Sequence, residues 1–401
     1  MDYRREDPRG STATVSADSG AHTLADYLTL SSARAYVAAA ILGIIVVLGM
    51  FRNVVISPMS EFAGFYIGAR LAGTPYLYDK AHNREEQART VHVYNDSLSY
   101  VRLPFYATLL SPIAKLPYRT ALYLWQALSL SAAVLFVFLW PHRGIALVAC
   151  AWSLPLAMVF MYGEDDNFLL VFLAMALVLY RKRPFSAGAL MSLLGIKFNL
   201  FLLLPLLLLG QKRWRMATGF LAGCTVLLAI SFGVGGIDWP LRMIPIITQR
   251  SVLSHEYIMP NLRGLLQGLT SLLWPELALG ALVAGLVFLT ARRSDFELGM
   301  AAMLVGSLLV SHHAGPEDCV VLLPALLLLG DRLTGSRAIY FCITFLSPIP
   351  YYFLVSGGVA GVVAKLAIVA LLGLISWRAR PWLRLLALRQ HGQLRPADGV
   401  E

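Results

Sequence analysis

The chain has 401 residues, of which 58% are hydrophobic and 14% charged, with a net charge of +10. A soluble domain carries roughly 25% charged residues, so this composition excludes a water-covered surface and puts most of the exterior in lipid. The Lys and Arg residues sit in short clusters between apolar runs, a positive-inside pattern that excludes a nucleic-acid-binding reading.

A membrane span takes about 20 apolar residues and a backbone whose polar groups are satisfied internally. The apolar runs here are long and lack period-2 alternation, so they predict helices, not a barrel. In chain order, residues 1–33 are polar, carry Arg4, Arg5 and Arg9, and have no apolar h-region, which predicts a disordered cytoplasmic tail. The first span is expected over 35–56, followed by a long polar outer loop, 57–102. Further spans are expected near 119–140, 144–162, 166–180, 214–235, 275–291, 297–311, 317–330, 337–355 and 359–377. Several are short, which tilt or local bilayer thinning absorbs. A second cytoplasmic tail covers 379–401. The prediction is an all-α polytopic protein in which 34–378 forms one transmembrane domain of about 10–13 helices or half-helices. Cys150, Cys224, Cys319 and Cys342 have no metal-ligand spacing, so neither a disulfide nor a zinc site is expected.

The basic clusters orient the chain. "RKR" at 181–183, "KRWR" at 212–215, "ARR" at 291–293, "DRLTGSR" at 331–337 and the tail from Arg378 belong on the cytoplasmic side. The loops 57–102, "GEDDN" at 163–167, 236–261 and "SHHAGPED" at 311–318 then fall outside. The run 184–210 lies between two clusters that both favour the cytoplasm, so it is expected to enter and return as a hairpin turning near "IKFN" at 196–199. The run 103–117, short and containing Pro104, Pro112 and Pro117, is expected to dip in from outside without crossing. If both crossed instead, "GEDDN" would move inside.

Several residues have the chemistry of a site. In "SEFAGFYIGARLAGTPYLYD" a short interfacial helix is expected from Ser60, as N-cap, to Ala72. Phe62, Phe65, Tyr66 and Ala69 share one face, and Glu61, Gly64 and Gly68 another. The glycines either leave room beside the carboxylate for a bulky substrate or serve close helix packing. Arg102, at the edge of an apolar run, either meets lipid headgroups or clamps one phosphate. Lys197 interrupts an apolar stretch, where a charge is costly, so it needs a phosphate or a carboxylate partner. Glu164, Asp165 and Asp166 form either a solvated turn or a contact for sugar hydroxyls or a divalent ion. His312, His313, Glu317 and Asp318 share one turn, where adjacent histidines alone make no metal site. His255, Glu256, Asn261 and Arg263 are expected on the same outer side. Glu61, Arg102, His255, Arg263 and His312 thus converge on an outer cavity of one carboxylate and several cations. Such a cavity suits a reaction that deprotonates a hydroxyl and releases a phosphate.

Taken in order, these segments resemble glycosyltransferase family 87, within the GT-C fold of polyprenyl-phosphate-sugar-dependent transferases. The carriers of the resemblance are "EFAGFYIGARLAGTPYLYD", closed by Tyr78 and Asp79; "LPFYATLLSPIAKLPYRTALYLW"; the "GEDDN" turn; "GIKFN" followed by "KRW"; "PNLRG"; and "SHHAGPED". The resemblance covers about residues 58–330. Two positions depart from the family: Glu61 stands where Asp is usual, and Glu164 where Gln is usual.

The resemblance implies a glycosyltransferase with a lipid-borne sugar donor. The donor would be a polyprenyl-phosphate sugar, mannose or a related hexose or pentose. The acceptor would be a glycolipid or glycan, reached at the periplasmic or extracellular face of a bacterial cytoplasmic membrane. Glu61 would be the general base of an inverting displacement. Arg102, Lys197, His255, Asn261, Arg263, His312 and His313 would hold substrate or the departing phosphate, with Tyr66, Asp79, Glu164 and Asp165 near sugar or acceptor. No metal or other cofactor is expected, and membrane lipids are the remaining partner. The rival class is a lipid or lipid-linked-sugar flippase without chemistry, which should often show pseudo-symmetric halves; none is visible in the sequence. A weaker third reading is a catalytically silent relative that only binds lipid-linked sugar.

Overall fold

The computed structural model describes residues 33–52, 61–91, 99–248, 256–267, 269, 272–333 and 340–379, and all of their regular structure is helical. Six helices are long and apolar enough to cross a bilayer: Ala33–Phe51, Tyr118–Leu139, Pro184–Phe201, Trp214–Gly235, Leu273–Arg293 and Gly358–Arg378. Arg143–Ala151 and Leu154–Tyr162, bent by 68°, form a seventh if read as one broken span. Large apolar side chains such as Leu221, Leu282 and Val363 stay exposed on their outer faces, as lipid contact requires. The composition's polytopic all-α expectation is met. The two terminal tails lie almost wholly outside the described residues.

Side-chain pairing gathers the basic clusters at one end. Arg181 meets Glu297, and Arg332 meets both Asp295 and Glu297. Arg213 lies over the Tyr180 and Phe296 rings. The Gln211 amide donates to the carbonyls of Ala291 and Ser294. Residues 181–183, 211–215, 291–297 and 331–332 therefore share a single level, as one membrane face demands.

The run 184–210 leaves this end and comes back to it. Pro184–Met191 is α-helical, and Ser192–Phe201 continues as 3-10 turns broken at Lys197, where φ is −124° and ψ is 61°. Leu204–Gly210 returns, bringing Gly210 against Ala291 and Phe288. The outgoing arm packs in parallel on Trp214–Gly235 through small residues. Gly188 abuts the Met216 carbonyl, Gly219 the Phe185 carbonyl, and Gly223 the Ser192 hydroxyl. Gly219 and Gly223 form a small-xxx-small pair, the device that lets membrane helices approach without bulky side chains.

At the opposite end the segment 61–116 folds inward. The expected interfacial helix is present as Phe62–Arg70, but every residue from Phe62 to Ala69 is buried. The Phe62 ring stacks on Tyr118 and Trp125, with centroids 6.1 and 5.3 Å away. Gly68 faces the Tyr100 ring so closely that a β-carbon would clash. This helix is a plug in the protein, not a surface element, because its second face carries only small residues and can also be packed. Ser60 lies outside the described residues, and Glu61 already has helical angles without a side-chain cap. Pro104–Leu110 and Ile113–Lys115 are too short to cross. Phe105 N–H donates to Ser231 near one end of Trp214–Gly235, and Leu116 O accepts from Tyr66, so the segment dips and returns as expected. The helix Trp239–Ile247 buries Trp239, Met243 and Ile246 and exposes Leu241 and Ile244, an arrangement suited to the membrane interface.

Three inner helices are shorter than the outer ones: Asp166–Leu179, Phe296–Val310 and Leu322–Gly330. They start or finish at the basic end and stop short of the other. Asn167 bonds Ser129, which lies midway along Tyr118–Leu139. That outer helix, 22 residues long, extends about 33 Å at the usual rise, so the inner tips end near half-depth. The expected span over 337–355 is described from Tyr340 and is broken at Ser347 and Pro348 into a π turn, Cys342–Leu346, and the helix Ile349–Ser356.

Candidate active site

The inner tips carry a buried ionic cluster. Helix Leu154–Tyr162 ends at Gly163, whose φ of +75° and ψ of 31° place it in the left-handed region that glycine tolerates. Trp125 Nε1 donates to the Gly163 carbonyl at 2.8 Å and fixes the turn. The chain then presents Glu164, Asp165 and Asp166 at the start of the next helix, where its dipole favours negative charge. All three are buried. Of the two readings of this turn, the solvated one is excluded: it is a core element, made possible by two cations.

Arg102 is the first cation. Its Nε and Nη2 donate to Asp165 at 3.1 and 3.2 Å, and Nη2 also reaches Glu164 at 3.2 Å. Its guanidinium lies 5.2 Å from the centre of the Phe65 ring, and Tyr78 OH holds its backbone carbonyl at 2.7 Å. Lys197 is the second. The break in the hairpin turns its side chain into the cluster, where Nζ lies 2.8 Å from Asp166, 3.3 Å from Glu164 and 2.5 Å from Asp318. Asp318 Oδ2 additionally accepts from Gly315 N–H at 2.7 Å. Two cations therefore face four carboxylates, an excess of two negative charges if all are ionised. The expected cavity of several cations around one carboxylate is reversed in sign. Arg102 and Lys197, expected to hold a phosphate, are already neutralised by protein.

Glu61 stands at the start of the plug helix, half-buried. Its carboxylate accepts no hydrogen bond and makes no ion pair among the described residues. Burial first, then Glu164, raises its pKa to about 8, against the opposing pull of Arg102 and Lys197. The two cations alone would lower this pKa, and burial outweighs them. Glu317 is also without an ion pair among the described residues, its carboxylate folded back against Gly315.

A second network lies beside the first. Asn199, two residues beyond Lys197, donates to Ser311 Oγ at 3.1 Å and to His313 O at 2.7 Å. Asn261 is fully buried, donates to Ser311 O at 2.7 Å and caps the turn at Gly264, which makes it a joint between segments. Arg263 pairs with Glu256 at 2.8 Å and Glu276 at 3.2 Å, and Glu276 also meets His312 at 3.0 Å. Burial pushes the His313 pKa below the ordinary histidine value, against the pull of Asp318.

Two expected contacts are structural. Tyr66 is buried and donates to Leu116 O at 2.7 Å. Asp79 caps helix Lys80–Thr90, accepting from His82 N–H at 2.9 Å. His255 lies outside the described residues. Asp166 and Asp318, read in the sequence only as members of the acidic and histidine turns, complete the cluster as partners of Lys197. Their signal was present: each is a carboxylate at the mouth of an apolar run, and Lys197 needed a partner. Glu164, Asp165 and Asp166 bring carboxylate oxygens within 4.8 Å of one another, which is metal-ligand spacing. Arg102 and Lys197 already point at these oxygens, leaving Asp166 Oδ1 buried and unpartnered among the described residues.

The four cysteines are free. No curated protein and no solved structure matches the chain. The profile of glycosyltransferase family 87 matches residues 103–312, a stretch that contains Arg102's neighbouring helix, the acidic turn, Lys197, Asn261 and His312. Over half the chain fits that profile, its helices are those of a multi-pass membrane protein, and its inner helix tips carry the buried charges: the chain belongs to glycosyltransferase family 87 and is a membrane glycosyltransferase.

Proposed function

We propose that the protein transfers a sugar from a polyprenyl-phosphate donor to a glycolipid or glycan acceptor on the outer face of a bacterial cytoplasmic membrane, by one inverting displacement. The observation that carries this reading is the contrast within the cluster. Glu164, Asp165, Asp166 and Asp318 are tied to Arg102 and Lys197, while the Glu61 carboxylate is not. A general base must be free to take a proton, and a pKa near the working pH makes it an effective one.

In this mechanism Glu61 takes the acceptor hydroxyl proton as that oxygen attacks the anomeric carbon. The bond from that carbon to the phosphate oxygen breaks, and the polyprenyl phosphate leaves. Arg102 and Lys197 hold the acidic turn in place and keep the field at Glu61 from becoming too negative. The departing phosphate is met by His312 and Arg263. Their partners Glu256 and Glu276 retain 27% and 13% of their side-chain exposure, so Arg263 and His312 are easier to recruit than the buried Arg102 and Lys197. A lipid monophosphate needs no divalent ion to leave when such cations meet it, so the proposal includes no metal.

The test is incubation of purified protein with a panel of polyprenyl-phosphate sugars and native membrane lipids, read by mass spectrometry. A new glycosylated lipid or glycan supports the reading. Binding of lipid-linked sugar without product would favour a silent relative. Movement of lipid-linked sugar across vesicles without product would favour the flippase reading.

A further inference from the structure

The last span, Gly358–Arg378, carries a buried charge that the proposed reaction does not use. Lys365 is 3% exposed and lies about 10 Å along the helix from Gly358. A charge at that depth is costly and asks for a partner. Among the described residues no carboxylate pairs with it. Its Nζ donates instead to two backbone carbonyls, Tyr257 O at 2.8 Å and Gly264 O at 2.7 Å. The Tyr257 ring also lies against Gly357, where a β-carbon would come within 3.0 Å of it. The segment 256–266 is thus clipped to the last span by an ammonium and an aromatic ring.

The positions of the two carbonyls matter. Tyr257 follows Glu256 and Gly264 follows Arg263, so one ammonium holds the backbone beside both members of that ion pair. Nε and Nη2 of Arg263 donate to Glu256 at 3.0 and 2.8 Å, and Nη1 donates to Glu276 at 3.2 Å. Those bonds occupy three of the five guanidinium N–H groups. Nη1 and Nη2 each keep one N–H, and the side chain keeps 25% of its exposure. Arg263 can therefore take a phosphate oxygen without surrendering its carboxylates. Gly264 sits so close to Glu256 O and Met259 O that a β-carbon would clash. The segment is tight, and a shift at its ends moves Arg263 with it. Bonds from a charged donor are stronger than neutral ones, and that is what a lysine supplies here over a neutral amide.

We propose that Lys365 is a positioning residue for donor recognition: it sets the backbone of 257–264 so that Arg263 meets the phosphate of the lipid-borne sugar. The phosphate contact rests on the transferase mechanism above; the hold on Arg263 does not.

The test uses the full chain in lipid nanodiscs, with undecaprenyl monophosphate as the binding probe. Phenylglyoxal serves as a reagent for arginine, its adducts mapped by mass spectrometry. Lys365→Met should speed modification of Arg263 roughly three- to tenfold, the worth of the bonds released, with the exposed Arg181 unchanged as internal control. It should weaken binding of the probe by a similar factor. Arg263→Gln should weaken binding roughly tenfold. Adding Lys365→Met to Arg263→Gln should weaken it no further, because a residue acting through Arg263 has nothing left to move. Lys365→Gln keeps an amide donor and should show the same pattern at smaller amplitude, which covers a Lys365→Met chain that does not fold. Additive losses in the double variant would mean that Lys365 acts by its own charge or through folding alone, and would overturn the proposal. So would an unchanged rate at Arg263. A faster rate there, with probe binding unaltered by Arg263→Gln, would sink the phosphate contact and that part of the mechanism while leaving the hold on Arg263 standing.

Discussion

Glu61 and Lys197 meet the same cluster, and substituting them should have opposite effects on stability. Glu61 has a pKa near 8 when folded, against an ordinary 4.5. The folded state therefore binds the proton more tightly, and the stability this provides is full below about pH 4.5 and lost as pH rises through about 8. Glu61→Gln removes that dependence, so the variant should gain in melting temperature relative to the parent at pH 9 but not at pH 4. If Glu61 is the base, transfer by the parent should climb with pH through about 8 as the carboxylate forms. A flat profile from pH 6 to 9 would speak against that titration. Lys197→Met strands three carboxylates that now share one ammonium. Breaking buried pairs costs about 3–5 kcal/mol, and unfolding in detergent should show a loss of that order. Asp318→Asn in the same chain should recover part of it. Lys197 could be picked out from sequence because a lone ammonium in an apolar run must be answered. Which carboxylate answers it could not, since Asp166 and Asp318 come from separate helices that only the tertiary fold brings together. The raised pKa of Glu61 was not legible for a related reason: desolvation depends on what surrounds a side chain, and neighbours in sequence do not report it.

Among the elements, the hairpin 184–210 was legible from charge alone. Basic clusters on both sides of an apolar run leave it nowhere to finish but where it began. Cysteines placed at 182 and 213 should thus be labelled from one side of the membrane and a cysteine at 314 from the other. Labelling of 182 and 213 from opposite sides would require the hairpin to cross. The contact that holds the outgoing arm uses Gly188 against Met216, Gly219 against Phe185 and Gly223 against Ser192, but an apolar run offers such glycines readily and only packing shows which are used. Gly219→Leu would drive a side chain into the Phe185 carbonyl. Overpacking costs about 1–3 kcal/mol even where side chains can yield, and a backbone carbonyl yields less, so this variant should lose at least that much. Leu221→Val, on the exposed side of the same helix, should be near neutral and controls for helix propensity. The plug helix Phe62–Arg70 was predicted in position and misassigned in setting, because periodicity distinguishes an apolar face from a polar one but not from a face of glycine and alanine.

At the scale of the whole molecule, short inner helices surrounded by longer spans create a charged floor near half-depth, covered on the side opposite the basic clusters by the inward-folded segment that carries the plug helix. The polytopic architecture followed from composition and the length of apolar runs. The family followed from the order of its segments, and the profile match over 103–312 bears it out. The charged floor was not readable, because whether a helix spans or stops half-way depends on which residues its tip meets. We propose that sugar transfer takes place at this floor with Glu61 as its base. The most direct test compares parent and Glu61→Gln for both donor binding and product formation, using the same polyprenyl-phosphate sugar and acceptor membranes. General-base assistance is worth typically 10²–10⁴-fold, so Glu61→Gln should bind donor like the parent while forming product roughly 10²–10⁴ times more slowly. Unchanged product formation by Glu61→Gln would contradict the claim and move the search for the base to Glu317.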